Sequence, residues 1–256
     1  MRSILKYPGS KWRIANWIIE KMPEHHSYLE PYFGSGAVLF NKAPSNIETI
    51  NDIDSDITNL FNVIRESTDE LLKRVTMTPY SREEYNNAFI VNENDDNIEV
   101  ARKFLIRCWQ GIGSNNKYKS GWKNDVQGRE RAYAVKNWYE LPEKITEIVD
   151  RLKTVQIENR PAVELIKRFN SEKVLIYADP PYLTSTRKRN IYKYEMTDQE
   201  HEELLKVLLA HKGSVIISGY DNEMYNEYLK TWKKHQINNL AEHGIKRVET
   251  LWIKDN

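Results

Sequence analysis

Residues 178–186 read ADPPYLTST, directly after the run Val174, Leu175, Ile176 and Tyr177. A carboxylate (Asp179), two consecutive prolines (Pro180, Pro181) and a phenol (Tyr182) thus leave what reads as a buried strand together. Proline lacks a backbone donor and fixes φ, so two in succession forbid further strand pairing and stiffen the exit. The prediction is a rigid loop that holds an acidic and an aromatic side chain in fixed places. The plainer alternative is a capped strand exit with a structural tyrosine.

A second constellation, EPYFGSG at residues 30–36, puts a carboxylate and two glycines just after the first strand candidate. That is where a doubly wound α/β fold binds a nucleotide. Glycine lets the backbone approach a ligand closely, and Gly36 can open a helix through AVLFNK. By itself GSG is equally an ordinary tight strand-to-helix turn. The next strand candidate ends in NDID (51–54), so Asp52 falls 16 residues after Gly36, where a strand-end carboxylate accepts hydrogen bonds from ribose hydroxyls. Asp54 or Ser55 is the expected cap of the helix that follows. No third glycine completes GxGxxG, which points away from a nicotinamide cofactor.

These residues need elements to hold them. Short apolar, β-branched strand candidates lie at 28–29, 48–51, 155–158, 173–178 and 214–218, with helix-period stretches between them. This pattern suits a parallel sheet covered on both faces. A helix is expected over 55–65, with Ile57, Leu60, Phe61 and Ile64 on one face. Another follows a capping box of Thr197 and Glu200, with Gly213 placed as its C-terminal glycine. Residues 236–240 and 247–253 flank the Glu242-His243-Gly244 turn and read as an antiparallel hairpin. The fold class is therefore α/β, a doubly wound Rossmann-like sheet ending in a hairpin.

Between residues 59 and 152 the alternation stops. Helical stretches at 82–90 and 100–110 are followed by GIGSNNKYKSGWKNDVQGRERAY, an irregular run whose length inside a compact fold suggests that it binds something. Residues 59–152 read as a mostly helical inserted module, and 1–58 with 153–256 as the main domain.

Bulk properties set limits. The chain has 256 residues, 38 Lys plus Arg against 37 Asp plus Glu, and one cysteine. No disulfide framework is possible within the chain, Cys108 reads as a helix-face residue, and the absence of an apolar leader or a span of roughly 20 apolar residues predicts a soluble, cytoplasmic protein. His25-His26 has no partners at metal-ligand spacing and the other histidines are scattered, so no metal is expected. Net charge carries no nucleic-acid signal, but Lys117, Lys119, Lys123, Arg129, Arg131 and Lys136 cluster in the insert, and Arg187, Lys188, Arg189 and Lys193 follow the proline loop. Two basic clusters on a neutral chain suggest directed binding of a polyanion.

Taken together, LKYPGSK (5–11), EPYFGSGAVLF (30–40), NDID (51–54) and DPPY (179–182) resemble the DNA adenine-N6 methyltransferases of the Dam-like type. The order matches too: cofactor motif, target-recognition insertion, then DPPY. The resemblance extends over nearly the whole chain. It implies S-adenosylmethionine as methyl donor and no metal. It implies that Tyr7 and Lys11 contact the cofactor or order its site, that Glu30, Phe33, Gly34 and Gly36 line it, that Asp52 holds its ribose, and that Asp179 stands between cofactor and base. The implied partner is double-stranded DNA, bound by a monomer or weak dimer, with a restriction-modification or phage setting and a cognate endonuclease compatible with it. Two departures stand out: Tyr32 extends EPF to EPYF, and Asn159-Arg160-Pro161 follow the third strand where an acidic residue toward the cofactor adenine is expected.

The chemistry explains the motif. An adenine amine is a poor nucleophile because its lone pair is delocalised, and a carboxylate (Asp179) with a backbone carbonyl (Pro180) can accept both amine hydrogens and direct the lone pair at the methyl group. The Pro180-Pro181 turn keeps that acceptor oriented. A base inside a duplex must be flipped out to reach it, and Tyr182 is the expected stacking surface. Arg187, Lys188 and Arg189 are expected at DNA phosphates. Lys117, Lys119, Trp122, Arg129 and Arg131 of the insert are expected to contact DNA, some at base edges. The rival readings are a cytosine-N4 enzyme, for which Ser would be expected at position 179, an RNA methyltransferase, and an inactive DNA-binding relative.

Overall fold

The computed structural model describes residues 1–113, 118–126, 132–187, 191–240 and 246–256. The strands are β1 (Ser27–Glu30), β2 (Ile47–Asn51), β3 (Val155–Glu158), β4 (Val174–Ala178), β5 (Val215–Tyr220), β6 (Lys233–Leu240) and β7 (Lys246–Lys254). They form one seven-stranded sheet in the order β3-β2-β1-β4-β5-β7-β6. The first five are mutually parallel, and β7 runs antiparallel to both neighbours. This is the expected α/β sheet closed by a hairpin. The turn at Glu242-His243-Gly244 lies outside the described residues.

The chain divides into two compact units, one of Lys11–Ile53 with Val155–Asn256 and one of Met1–Ser10 with Asp54–Thr154. The first holds the sheet with α1 (Ala15–Ile19), α8 (Ala162–Arg168), α9 (Asp198–Ala210) and α10 (Glu223–Tyr228). On one sheet face Leu29, Ile176, Ala178, Ile217 and Trp252 pack with Leu165 of α8, Leu204, Leu205 and Leu208 of α9 and Tyr225 of α10. Residues of opposite parity, among them Tyr28, Leu175, Tyr177, Ile216 and Leu251, are buried as well. Burial on both faces is why these strands read as continuous apolar runs instead of alternating.

Local signals set most boundaries. Thr197 and Glu200 form the capping box of α9. Gly213 has a different role from the one expected. It is not a positive-φ cap, and a Cβ there would lie 2.2 Å from the Val174 carbonyl oxygen, so glycine is needed for close approach to β4. AVLFNK is also not a helix. After Gly36 the chain makes successive turns, with Phe40 N–H on Gly36 O and Lys42 N–H on Val38 O, and no helix is established.

The second unit is helical: α2 (Ser55–Glu66), α3 (Thr68–Met77), α4 (Arg82–Asn87), α5 (Asn97–Gln110), α6 (Tyr133–Tyr139) and α7 (Leu141–Leu152). Asp54 caps α2 by accepting from Asp56 N–H. The expected face of α2, Ile57, Leu60, Phe61 and Ile64, is buried. Cys108 is buried on α5. Helix α7 carries Pro142 in its first turn and buries Leu141, Ile145, Ile148 and Leu152, a helical spacing readable in the sequence. No helix among the described residues is long and apolar enough to cross a membrane.

Candidate active site

Strand order decides where the chemistry collects. The sheet reverses direction of winding between β1 and β4, which are paired neighbours. In sheets of this kind the loops leaving the carboxyl ends diverge at such a point and leave a crevice, the general ligand position. The loop after β1 is EPYFGSG and the loop after β4 is DPPY, so the fold brings the two sequence constellations together.

The first loop is braced from β2. Phe33 N–H donates to Asn51 O and Gly34 N–H to Asp52 Oδ2, both at 2.9 Å. Gly34 and Gly36 have φ of 51° and 68°, and a Cβ on Gly36 would lie 2.5 Å from the rings of Phe33 and Phe40. Backbone conformation and packing thus both require glycine at 36. The buried Asn51 amide donates to Pro31 O and Arg160 O and accepts from Arg160 N–H, tying together the ends of β1, β2 and β3. Asn159, in the segment where an acidic residue was expected, donates to Asp52 O at 2.6 Å. Its amide therefore serves the brace.

Glu30 is 2% exposed and accepts a 2.8 Å bond from the Tyr28 hydroxyl. Burial, reinforced by the nearby Asp179 charge, pushes its pKa up to about 8 despite that bond, so it is mostly protonated at neutral pH.

Asp179 is held at both oxygens. Lys11 Nζ lies 2.8 Å from Oδ2, and Ser218 of β5 donates to Oδ1 at 2.7 Å. The Tyr177 hydroxyl is 3.3 Å from Ser218 Oγ. Lys11 is also 3.7 Å from Glu249 Oε1 on β7. Burial opposes its charge, but Asp179 and Glu249 outweigh burial and hold its pKa above the ordinary lysine value. Pro180, the next residue, is buried.

Tyr182 is not the open platform expected. It is 6% exposed, its hydroxyl donates to Glu249, the edge of its ring meets Tyr220 at a centroid distance of 4.7 Å, and Lys11 Nζ stands 4.8 Å from its ring centre. Arg187 differs as well. Its side chain is 7% exposed, paired with Glu195 through both terminal nitrogens and donating from Nε to Tyr182 O at 2.7 Å. A guanidinium so committed braces the loop, where an open phosphate contact was expected. Lys188 and Arg189 lie outside the described residues.

Tyr7 belongs to the helical unit, in a turn closed by Ser10 N–H on Tyr7 O with Gly9 at φ 71°. In the same unit Lys119 is exposed, and Trp122 is half-buried against Tyr80 with the Arg82 guanidinium 4.9 Å from its ring centre. Lys117, Arg129 and Arg131 lie outside the described residues. The sequence reading missed Ser218 and Glu249 as site residues. Ser218 was signalled only as a polar side chain in the apolar run of β5, and Glu249, among Arg247 and Thr250 in the mixed strand KRVETLWIK, carried no such signal.

The sequence profile of the D12 class N6 adenine-specific DNA methyltransferases matches residues 7–248. The chain belongs to this family. Similar proteins include the type II methyltransferase M1.LlaDCHI of Lactococcus lactis subsp. cremoris, 25% identical over 263 residues covering 96% of this chain and 90% of that protein. The DNA adenine methylase of Salmonella typhi is 25% identical over 256 residues, covering 92% and 87%. The type II methyltransferase M.MjaIII of Methanocaldococcus jannaschii is 25% identical over 234 residues, covering 80% and 78%. The methyltransferase thus acts on adenine N6 in DNA in a site-specific way, and its DPPY loop occupies the switch point of the sheet.

Proposed function

We propose that this enzyme uses S-adenosylmethionine to methylate an adenine turned out of double-stranded DNA, with Asp179 and the Pro180 carbonyl accepting the two amine hydrogens. The observation that carries the reading is Asp179 itself: a carboxylate at the carboxyl end of β4, fixed by Lys11 at 2.8 Å and Ser218 at 2.7 Å, on a loop that two prolines keep rigid. Fixing the acceptor before the base arrives removes orientational freedom from the reaction, an effect worth up to roughly 7–11 kcal/mol of barrier.

The donor set suits the cofactor. Asp52, at the end of β2, is an acceptor for ribose hydroxyls, and Glu30, Phe33, Gly34, Gly36 and Lys11 border the same crevice. Acidic groups, Asp179 foremost, match a cationic sulfonium. When bound, S-adenosylmethionine supplies an electrophilic methyl group. The chain's residues orient the amine, exclude water and accept hydrogen bonds. Tyr182, buried with its hydroxyl on Glu249 and Tyr220 at its edge, can stack on an extruded base only once its ring is uncovered, a contact worth about 1–3 kcal/mol per base.

Recognition of the target sequence is assigned to the helical unit, with Lys119 and Trp122 as DNA contacts, together with Lys117, Arg129 and Arg131 on sequence grounds. Lys188 and Arg189 are assigned to phosphates on the same grounds. The enzyme acts in the cytoplasm, as a monomer or weak dimer, and a cognate restriction endonuclease fits a type II setting.

The test is transfer of labelled methyl from S-adenosylmethionine to duplex DNA from a methylation-free host, with the product nucleosides identified by mass spectrometry. N6-methyladenine is expected from the wild type and none from Asp179→Ala, which should still bind DNA. Label in cytosine or RNA, or undiminished turnover by Asp179→Ala, would overturn the reading.

A further inference from the structure

Strand β7 contributes a buried carboxylate to the carboxyl end of the sheet. Glu249 is 4% exposed and stands opposite Tyr220 of β5 and Ile237 of β6. A charge in such a place is costly unless paired. Its partners are Lys11 Nζ at 3.7 Å and the Tyr182 hydroxyl, which donates to Oε1. Both lead to the same point: Lys11 holds Asp179 Oδ2 at 2.8 Å, and Tyr182 ends the loop that Asp179 begins. The Lys11 ammonium also stands 4.8 Å from the Tyr182 ring centre. Lys11, Tyr182 and Glu249 thus form a closed triangle, to which Asp179 is joined at Lys11.

We propose that Glu249 is a positioning residue for methyl transfer, gripping Lys11 and the Tyr182 hydroxyl so that the ammonium and the DPPY loop hold Asp179 in its accepting position. The inference rests on the reading of Asp179 as the acceptor of the adenine amine. With one carboxylate partner Lys11 could follow Asp179 wherever it moved, whereas a second partner anchored in a β-ladder gives the ammonium a fixed place. Glu249 is too deep to serve as a surface ion pair, and its hydroxyl partner belongs to the motif itself.

The groups facing Glu249 are Lys11 from the N-terminal segment, Tyr177 of β4, Asp179, Tyr182 and Tyr192 from the loop beyond β4, and Tyr220 of β5, with Arg247 flanking on β7. Burial, with Asp179 adding to it, raises the pKa of Glu249 above the ordinary carboxylate range, against the pull of Lys11. Wild-type Glu249 therefore takes up a proton more readily than an ordinary glutamate as pH falls, and then resembles glutamine.

The experiment compares wild type, Glu249→Gln and Glu249→Asp as full-length proteins, each checked by melting temperature and far-UV spectrum. At pH 8, Glu249→Gln is expected to lower kcat about tenfold or more while the Kd for duplex DNA and for S-adenosylhomocysteine, by calorimetry, stays within about threefold. The ratio of wild-type to Glu249→Gln kcat should shrink toward one as pH falls through the Glu249 titration, and Glu249→Asp, which keeps the charge, should retain more activity than Glu249→Gln. A pH-independent ratio, equal loss in both variants, or loss confined to binding would overturn the proposal. If Glu249→Gln does not fold, the comparison rests on Tyr182→Phe, which removes the hydroxyl that Glu249 accepts from and where unchanged kcat would overturn it. Asp179→Ala runs alongside: an active Asp179→Ala sinks the reading of the site, whereas an inactive one with a pH-independent Glu249→Gln ratio sinks only the role of Glu249.

Discussion

Lys11 Nζ lies 2.8 Å from Asp179 Oδ2, with the lysine side chain 5% and the aspartate side chain 18% exposed. The pair joins the first motif of the chain to the DPPY motif. Because Lys11 also neutralises Glu249, removing it leaves two carboxylates near one another without a cation. Lys11→Met is expected to lose activity and to destabilise the fold by about 3–5 kcal/mol at neutral pH. The loss should be smaller in acid, where protonation relieves the stranded charges. Urea unfolding at two pH values checks this, and equal losses at both would contradict it.

Ser218 gives Asp179 its other fixed contact, a 2.7 Å bond from the neighbouring strand. A hydrogen bond to a charged group contributes about 1.5–3 kcal/mol. If most of that serves orientation, Ser218→Ala lowers kcat about tenfold or more, with DNA affinity unchanged. Single-turnover kinetics and a fluorescence-polarisation Kd separate the two quantities.

Arg187 braces the DPPY loop through Tyr182 O and Glu195. Arg187→Ala should therefore lower kcat and thermal stability while leaving the slope of log K against log salt for DNA binding unchanged. A phosphate contact would reduce that slope by about one. Titrations across a salt series discriminate between the two roles.

Glu30 supplies a pH signature. Its folded pKa is raised from an ordinary 4.5 to about 8, so between those values the native state binds more protons than the unfolded state. The stability from burying neutral Glu30 is fully present below the lower value and is lost as pH rises through the upper one. Glu30→Gln cannot ionise, so its stability should fall less steeply over that window, by up to about 1.4 kcal/mol per pH unit. Denaturant titrations of both proteins from pH 5 to pH 8, in roughly unit steps, read the difference directly.

The sequence by itself determined the parts whose causes are local. Apolar β-branched runs specified the strands, Thr197 with Glu200 and Asp54 set helix starts, and the prolines at 180 and 181 ended β4 where they had to. The glycines at 34 and 36 marked a turn that needs left-handed backbone. LKYPGSK, EPYFGSG, NDID and DPPY were enough to point to the family. Tertiary structure decided what those motifs touch. Glu249 is near Asp179 only because β7 inserts beside β5 in the order β4-β5-β7-β6, and nothing within a few residues of Glu249 specifies that insertion. The same holds for Ser218, which reaches Asp179 across the β4–β5 ladder. The inward turn of Arg187 depends on Glu195 and the Tyr182 carbonyl being in reach, and the close packing that requires glycine at 36 depends on Phe33 and Phe40 closing over it. Short-range propensity fixes elements and caps, whereas the partners of a charged side chain follow from which strands become neighbours, a property of the packed chain as a whole.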